Sequence, residues 1–122
     1  MKENKRKVFY CNVELTIDII GGKWKPLIIH HIGKYGVIRY GELKRKIPII
    51  NERVLSRQHR ELEEHQLISR KVYEEVPLKV EYSLTEIGES LTHILNELGE
   101  WGIKYNHTFN YGEINFEDKY NK

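Results

Sequence analysis

The sequence predicts a mainly α fold with one small β-hairpin, an α+β class, and three observations carry that expectation. Apolar residues recur at spacings of three and four through most of the chain, the period of a helix with one buried side. One stretch departs from this: Val80, Tyr82 and Leu84 alternate with Glu81 and Ser83, the period of a half-buried strand. Gly21-Gly22 and Pro48 mark breaks between the helical runs. The 122 residues fit one domain with a modest core, near the size at which pairing with a second copy helps.

Residues 1–10 read as a basic N-terminal arm carrying Lys2, Lys5, Arg6 and Lys7, mobile and able to touch a polyanion or simply frayed. Residues 11–106 form the domain proper, and 107–122 a C-terminal tail. From Asn12 to Ile20, Val13, Ile17 and Ile20 make one apolar stripe while Leu15 and Ile19 begin another. A helix that is apolar on more than one side needs two partners. Gly21-Gly22 stops it, and a second helix starts around Lys23, tolerates Pro26 in its first turn and runs through Trp24, Leu27, Ile28 and Ile32 toward Gly33. Val37 and Ile38 suit a one-bridge strand.

Tyr40 to Ile47 is a short helix with Leu43 and Ile47 inward and Lys44 a candidate DNA contact, ended by Pro48, whose ring locks φ and removes a donor. After a three-residue break, Asn51 can cap a helix that continues through Glu64. This helix has two unlike faces. Val54, Leu55 and Leu62 point to a core, while Arg53, Ser56, Arg57 and Arg60 recur at spacings of three and four and project together from the other side. Three arginines on a surface helix also fit a solvated face paired with Glu52, Glu61, Glu63 and Glu64. The preceding helix and break favour the helix-turn-helix plan, in which the second helix enters a DNA major groove. Arg70 to Tyr73 and Val80 to Leu84 then pair around a turn. A hairpin directly behind such a helix is a wing, so the expected architecture is a winged helix-turn-helix. Lys79 near the hairpin tip can reach a phosphate or the minor groove, or merely protect an edge strand.

Thr85 can cap the last helix, with Glu86 and Glu89 near its positive end. Ile87, Leu91, Ile94, Leu98, Trp101 and Tyr105 follow at alternating spacings of four and three, a seam roughly 30 Å long. So long a seam exceeds the needs of a small core. It is expected to pack on a second subunit beside Val13 and Ile17 of the first helix, so that the N- and C-terminal helices dimerise the protein; an intramolecular core helix is the alternative. Phe109, Tyr111, Phe116 and Tyr120 in the polar tail have no assigned role.

The net charge of +2 hides a segregation. Residues 1–60 hold 14 Lys and Arg against 5 Asp and Glu, a balance of +9; residues 61–122 hold 6 against 13, a balance of −7. A basic half carrying the arginine face suits a polyanion, because phosphate neutralisation releases counterions and supplies sequence-independent affinity. No apolar run approaches the roughly 18 residues of a membrane span, and no signal peptide is evident, so a cytoplasmic protein is expected. The scattered histidines, with His30 and His31 on different helix faces, and a single cysteine predict no metal site and no cofactor. A thiol-dependent enzyme lacks a second cysteine, a Gly-rich loop or an ordered Ser/His/Asp set. A winged-helix module that docks on protein instead of DNA is the other rival reading, as is a regulator with no thiol sensing.

Cys11 is the one side chain with reactive chemistry. It follows the basic arm at the mouth of the first helix, two features that favour a thiolate, which could meet oxidants or electrophiles such as quinones and aldehydes. The alternative is a buried small hydrophobe. With no resolving cysteine in the chain, the open products are a link between the Cys11 residues of two subunits, a mixed disulfide with a small thiol, or alkylation.

Five segments in order resemble the HxlR family of bacterial winged helix-turn-helix regulators, over about residues 11–105. They are Cys11 with Val13-Glu14, Ile20-Gly21-Gly22-Lys23-Trp24-Lys25, Arg39-Tyr40-Gly41-Glu42-Leu43, Arg60-Glu61-Leu62-Glu63, and Glu75-Val76-Pro77 followed by Val80-Glu81-Tyr82-Ser83-Leu84-Thr85. The resemblance implies a homodimer on pseudo-palindromic double-stranded DNA, since two-fold protein symmetry demands two-fold operator symmetry, with repression the expected sense. It also implies a sensing role for Cys11, as some members use a cysteine near the N-terminus in this way. Three positions depart from the family pattern. Asn12 replaces proline, which leaves the first helix start less fixed. His59 replaces leucine on the inward stripe and is expected to be a hydrogen-bonded core histidine. Leu78-Lys79 replaces Pro-Arg, exchanging a planar fork for a point charge.

Overall fold

The computed structural model describes residues 6–115, so Lys2, Lys5, Phe116 and Tyr120 lie outside the described residues. The elements run α1 (Asn12–Ile20), α2 (Trp24–Tyr35), β1 (Val37–Arg39), α3 (Tyr40–Lys46), α4 (Glu52–Glu64), β2 (Ile68–Tyr73), β3 (Lys79–Leu84) and α5 (Glu86–Phe109). The fold is mainly helical with a small antiparallel sheet, as expected.

Helix α2 is the hub. Its Ile28, Ile29 and Ile32 are fully enclosed, and Leu43 of α3, Leu55 and Leu62 of α4 and Leu95 of α5 pack into the same core. The helix does not stop at Gly33. A Cβ there would sit 2.8 Å from Thr92 Cγ2 and 3.1 Å from Leu84 Cδ1, so the glycine lets β3 and α5 come close to α2. The stop falls at Gly36, whose φ of 80° lies in the left-handed region that other residues avoid.

The sheet has the order β1-β3-β2. Residues Val37 to Arg39 pair along their whole length with Glu81 to Ser83, which makes β1 a third strand in place of a single bridge. Strand β2 begins at Ile68, two residues before the expected Arg70, because Ile68 and Leu67 are core residues that join α4 to the hairpin. Pairing of Ile68 with Leu84 through Tyr73 with Lys79 leaves residues 74–78 as the tip of the wing. Lys79 is therefore the first residue of β3 and stands behind that tip.

Thr85 caps α5 by accepting from the Gly88 N–H at 3.1 Å, while its own hydroxyl donates to the Gln66 carbonyl at 2.7 Å. Helix α5 spans 24 residues, about 36 Å, and ends at Phe109, beyond the domain edge expected at 106. Asn110 follows in the left-handed conformation, and the Asn106 amide bonds both the N–H and the carbonyl of Gly112, folding the next residues back on the helix.

Only Leu91 of the expected α5 seam leans on the core, and the side chain enclosed there is Leu95, one position off that seam. Ile87, Ile94, Leu98, Trp101 and Tyr105 are exposed in the protomer, Leu98 at 57% and Trp101 at 62%. Val13 and Ile17 of α1 are likewise exposed, and α1 meets the core through Ile19 and Ile20. The intramolecular alternative for the seam therefore does not hold for these residues.

Candidate nucleic-acid interface

Helix α4 owes its start to Asn51, whose Oδ1 accepts from the Val54 N–H at 2.9 Å. Between α3 and α4, Ile47 and Ile50 are buried, and the Ile50 N–H donates to the Ile47 carbonyl at 3.2 Å, so the turn is anchored from inside. Leu55 and Leu62 hold one face in the core and Val54 lies against it. Glu61 accepts from Lys25 of α2 in an ion pair, and that hydrogen bond holds the Glu61 carboxyl below its ordinary range. The reading helix is thus fixed to the hub by apolar burial on one side and a charge pair at its flank.

Its outer face matches the sequence reading. Arg53, Ser56, Arg57 and Arg60 are all exposed. Among the described residues the three arginines form no ion pair, and of the four glutamates that could have neutralised them, Glu61 is engaged by Lys25. The Arg57 charge also acts on Glu61, but a row of exposed guanidinium groups on a rigid rod is suited to hydrogen-bond phosphates or base edges, and planar guanidinium matches the acceptor pair of guanine.

The other predicted positions fare differently. Lys44 is half-buried on α3, the helix next to α4. Lys79 is half-buried too, 3.5 Å from Glu81 and with its Nζ 4.5 Å from the Tyr73 ring centroid, so it is held on the hairpin and not extended from the tip. Sequence reasoning passed over Arg39, Arg45 and Arg70, which line one hollow between α3 and the wing. Strand pairing was the missing signal, since only β1 and β2 flanking β3 bring Arg39 and Arg70 to the same region.

His59 is buried as its place on the inward stripe implies, at 2% exposure, but the expectation of a hydrogen-bonded histidine is wrong. Among the described residues neither ring nitrogen has a hydrogen-bond partner. The ring packs between Tyr40 and Tyr82 in aromatic contacts instead. Burial first, and the nearby Arg70 charge second, push its pKa down to about 4, so it is neutral at ordinary pH.

Cys11 is exposed, not a buried hydrophobe, and is the N-cap of α1, with Sγ accepting from the Glu14 N–H at 3.4 Å. The Glu14 carboxylate reciprocates by accepting from the Tyr10 N–H at 2.8 Å. These reciprocal bonds fix the helix start that Asn12 alone would leave loose. Lys7 pairs with Asp18 at 3.0 Å and lays part of the arm along α1. Among the described residues no cluster of His, Cys, Asp and Glu could hold a metal ion, and no helix is long and apolar enough to cross a membrane.

A capped helix presenting basic residues, a preceding helix joined by a buried turn, and a hairpin behind define a winged helix domain of the transcription-regulator class. The chain belongs to the HxlR-like helix-turn-helix family, whose model matches residues 19–109, and is a helix-turn-helix transcriptional regulator. It is 50% identical over 100 residues to the putative regulatory protein MalR of Fusobacterium mortiferum, covering 82% of this chain and 93% of that one. Two solved structures of the redox regulator HypR are similar. The reduced form matches with a TM-score of 0.76 at 42% identity over 84% of this chain and all of that one. The oxidised form matches at 0.72 and 47% identity, over 77% of this chain and 96% of that one. The family is one of DNA-binding regulators.

Proposed function

We propose that the protein is a homodimeric repressor that binds a pseudo-palindromic operator and is released when Cys11 is modified by an oxidant or electrophile. The observation that carries the DNA-binding part is the exposed face of Arg53, Arg57 and Arg60 on a helix held to the core by Leu55, Leu62 and the Lys25–Glu61 pair. Ser56 and Lys44 complete the DNA-facing surface from the same motif, and Lys79 steadies the wing.

Dimerisation rests on the exposed apolar stripes of α1 and α5. Val13, Ile17, Ile94, Leu98, Trp101 and Tyr105 leave more unpartnered apolar surface than a solitary domain of this size favours, and a second copy offers the same stripes in return. Leu91 contributes at the seam's inner edge.

The thiol role rests on Cys11 being exposed and serving as the cap of α1. Modification of Sγ abolishes its thiolate charge and adds bulk at the acceptor of the Glu14 N–H, so chemistry at sulfur acts on the start of a helix that belongs to the proposed dimer interface. The similarity to HypR, a redox regulator solved in reduced and oxidised forms, supports the same reading. Two Cys11 thiols joined across the dimer surrender two electrons and two protons to an oxidant such as diamide; the same oxidant would join each Cys11 singly to a small thiol with the same loss of two electrons and two protons, and an electrophile would alkylate each thiolate singly. A shift of α1 then changes the spacing or tilt of the two α4 helices.

Gel shifts on a DNA fragment selected from a random pool, with and without diamide, compare wild type and Cys11→Ser. Release of the wild type with retention of Cys11→Ser is expected. Equal release of both removes Cys11 from the mechanism, and an affinity with no salt dependence removes DNA binding in favour of a protein-docking module.

A further inference from the structure

The wing and α3 enclose a hollow of about 520 Å³ in which cations outnumber carboxylates four to one, with Arg39, Arg45, Arg70 and Lys79 against Glu42. The carboxylate is already committed, since Glu42 Oε1 accepts from the Arg39 backbone N–H at 3.0 Å. Lys79 is paired with Glu81, but among the described residues the three arginines make no ion pair. The exposed Arg45 side chain lies back over Gly41, its Nη1 3.9 Å from where a Cβ would stand, and both residues line the hollow. Arg70 is hydrogen-bonded to Tyr82, which also lines the hollow, but no carboxylate pairs with any of the three arginines among the described residues, and like charges gathered in this way repel one another, a cost that an anion in the hollow reduces.

We propose that this hollow is a phosphate cradle for the DNA backbone, with Arg39, Arg45 and Arg70 as its ligands, separate from the base-facing row on α4. The inference rests on the DNA-binding reading above. When α4 lies in a major groove and the hairpin approaches the neighbouring minor groove, the sugar-phosphate strand dividing the two grooves passes between the reading motif and the wing. In this docking the hollow between α3 and the wing faces that strand. Its guanidinium groups are suited to phosphate because their planar fork can give two parallel hydrogen bonds to two oxygens. Binding of this kind fixes the register of the wing on the duplex and carries no sequence information. The same chemistry suits a free phosphate ion, and the test separates the two sources.

The experiment measures affinity for the selected operator fragment and for a mixed-sequence duplex over a series of salt concentrations, for wild type, Arg45→Gln, the double variant Arg45→Gln/Arg70→Gln, and Arg45→Lys. Thermal melting of each variant confirms folding; Arg45 is exposed, so its single variant remains informative should the double variant unfold. The cradle predicts that log K against log salt becomes shallower by about 0.9 for each phosphate no longer neutralised, and about 2 for the double variant. Affinity for operator and mixed duplex falls by a common factor, and Arg45→Lys retains most of the slope. Unchanged slopes in folded variants overturn the cradle while leaving DNA binding by α4 in place. A second arm titrates inorganic phosphate without DNA: variants that lose affinity for phosphate but bind duplex as wild type does assign the hollow to a free anion and overturn the DNA proposal. If the wild type itself shows no salt-dependent DNA binding, the functional reading falls and the cradle with it.

Discussion

His59 of α4 and Tyr82 of β3 lie with ring centroids 4.1 Å apart and planes inclined at 41°, joining the reading helix to the wing through an aromatic contact instead of a hydrogen bond. Tyr40 closes the other side of the imidazole with a centroid distance of 5.8 Å. A neutral ring is the tolerated form here, because burial disfavours the charged one and no acceptor among the described residues offsets that cost.

This makes stability depend on acidity with a definite sign. The unfolded chain takes up the His59 proton near pH 6.5 and the folded chain only near 4, so the unfolded state binds more protons between these values. The contribution of His59 is fully present above pH 6.5 and lost as pH falls through the window, by about 3 kcal/mol in all on a scale of roughly 1.4 kcal/mol per unit. His59→Leu should flatten this dependence while keeping the packing. Denaturant melts at pH 7, 6 and 5 check it; equal slopes in wild type and variant would exclude His59 as the source.

Gly88 lies where α5 passes the strand entry, and a Cβ there would fall 2.0 Å from the Leu67 carbonyl oxygen, a backbone atom that cannot step aside. Gly88→Ala should destabilise by roughly 1–3 kcal/mol through displacement of α5 from the sheet. Thermal melting reads the effect, and an unchanged midpoint would contradict the close approach.

The unpartnered side of α5 is expected to pack on a second copy. Leu98→Glu, at a side chain 57% exposed in the protomer, should leave the helical content unaltered and convert the protein from dimer to monomer. Sedimentation and far-UV circular dichroism separate the two effects. A wild type that sediments as a monomer, or a variant that remains dimeric, would remove α5 from the interface.

Much of this architecture was legible because local rules and global packing agree. Asn51 and Thr85 cap the helices they precede, and Leu55, Leu62 and the arginine row divide α4 as their spacing requires. The misreadings share one origin, the packing of distant segments. Gly33 reads locally as a stop, yet Thr92 and Leu84 need its missing side chain. Leu95 falls outside the regular seam on α5, but it is the large apolar side chain of that helix that the core encloses. Lys79 reads as a tip residue until the register with Tyr73 sets it behind the turn. The arginines of the hollow are scattered in sequence and become neighbours only through the three-stranded sheet and α3. His59 was recognisable as inward-facing, but its lack of a hydrogen bond depends on two tyrosines from other elements.

Arg57 sits in the middle of the α4 arginine row that is proposed to read bases. Titrating wild type and Arg57→Ala by fluorescence anisotropy against the selected operator and a scrambled duplex of equal length measures discrimination directly. The account predicts that Arg57→Ala loses roughly 1–3 kcal/mol on the operator and much less on the scrambled duplex. Equal losses on both, or none on either, would contradict base reading by this helix.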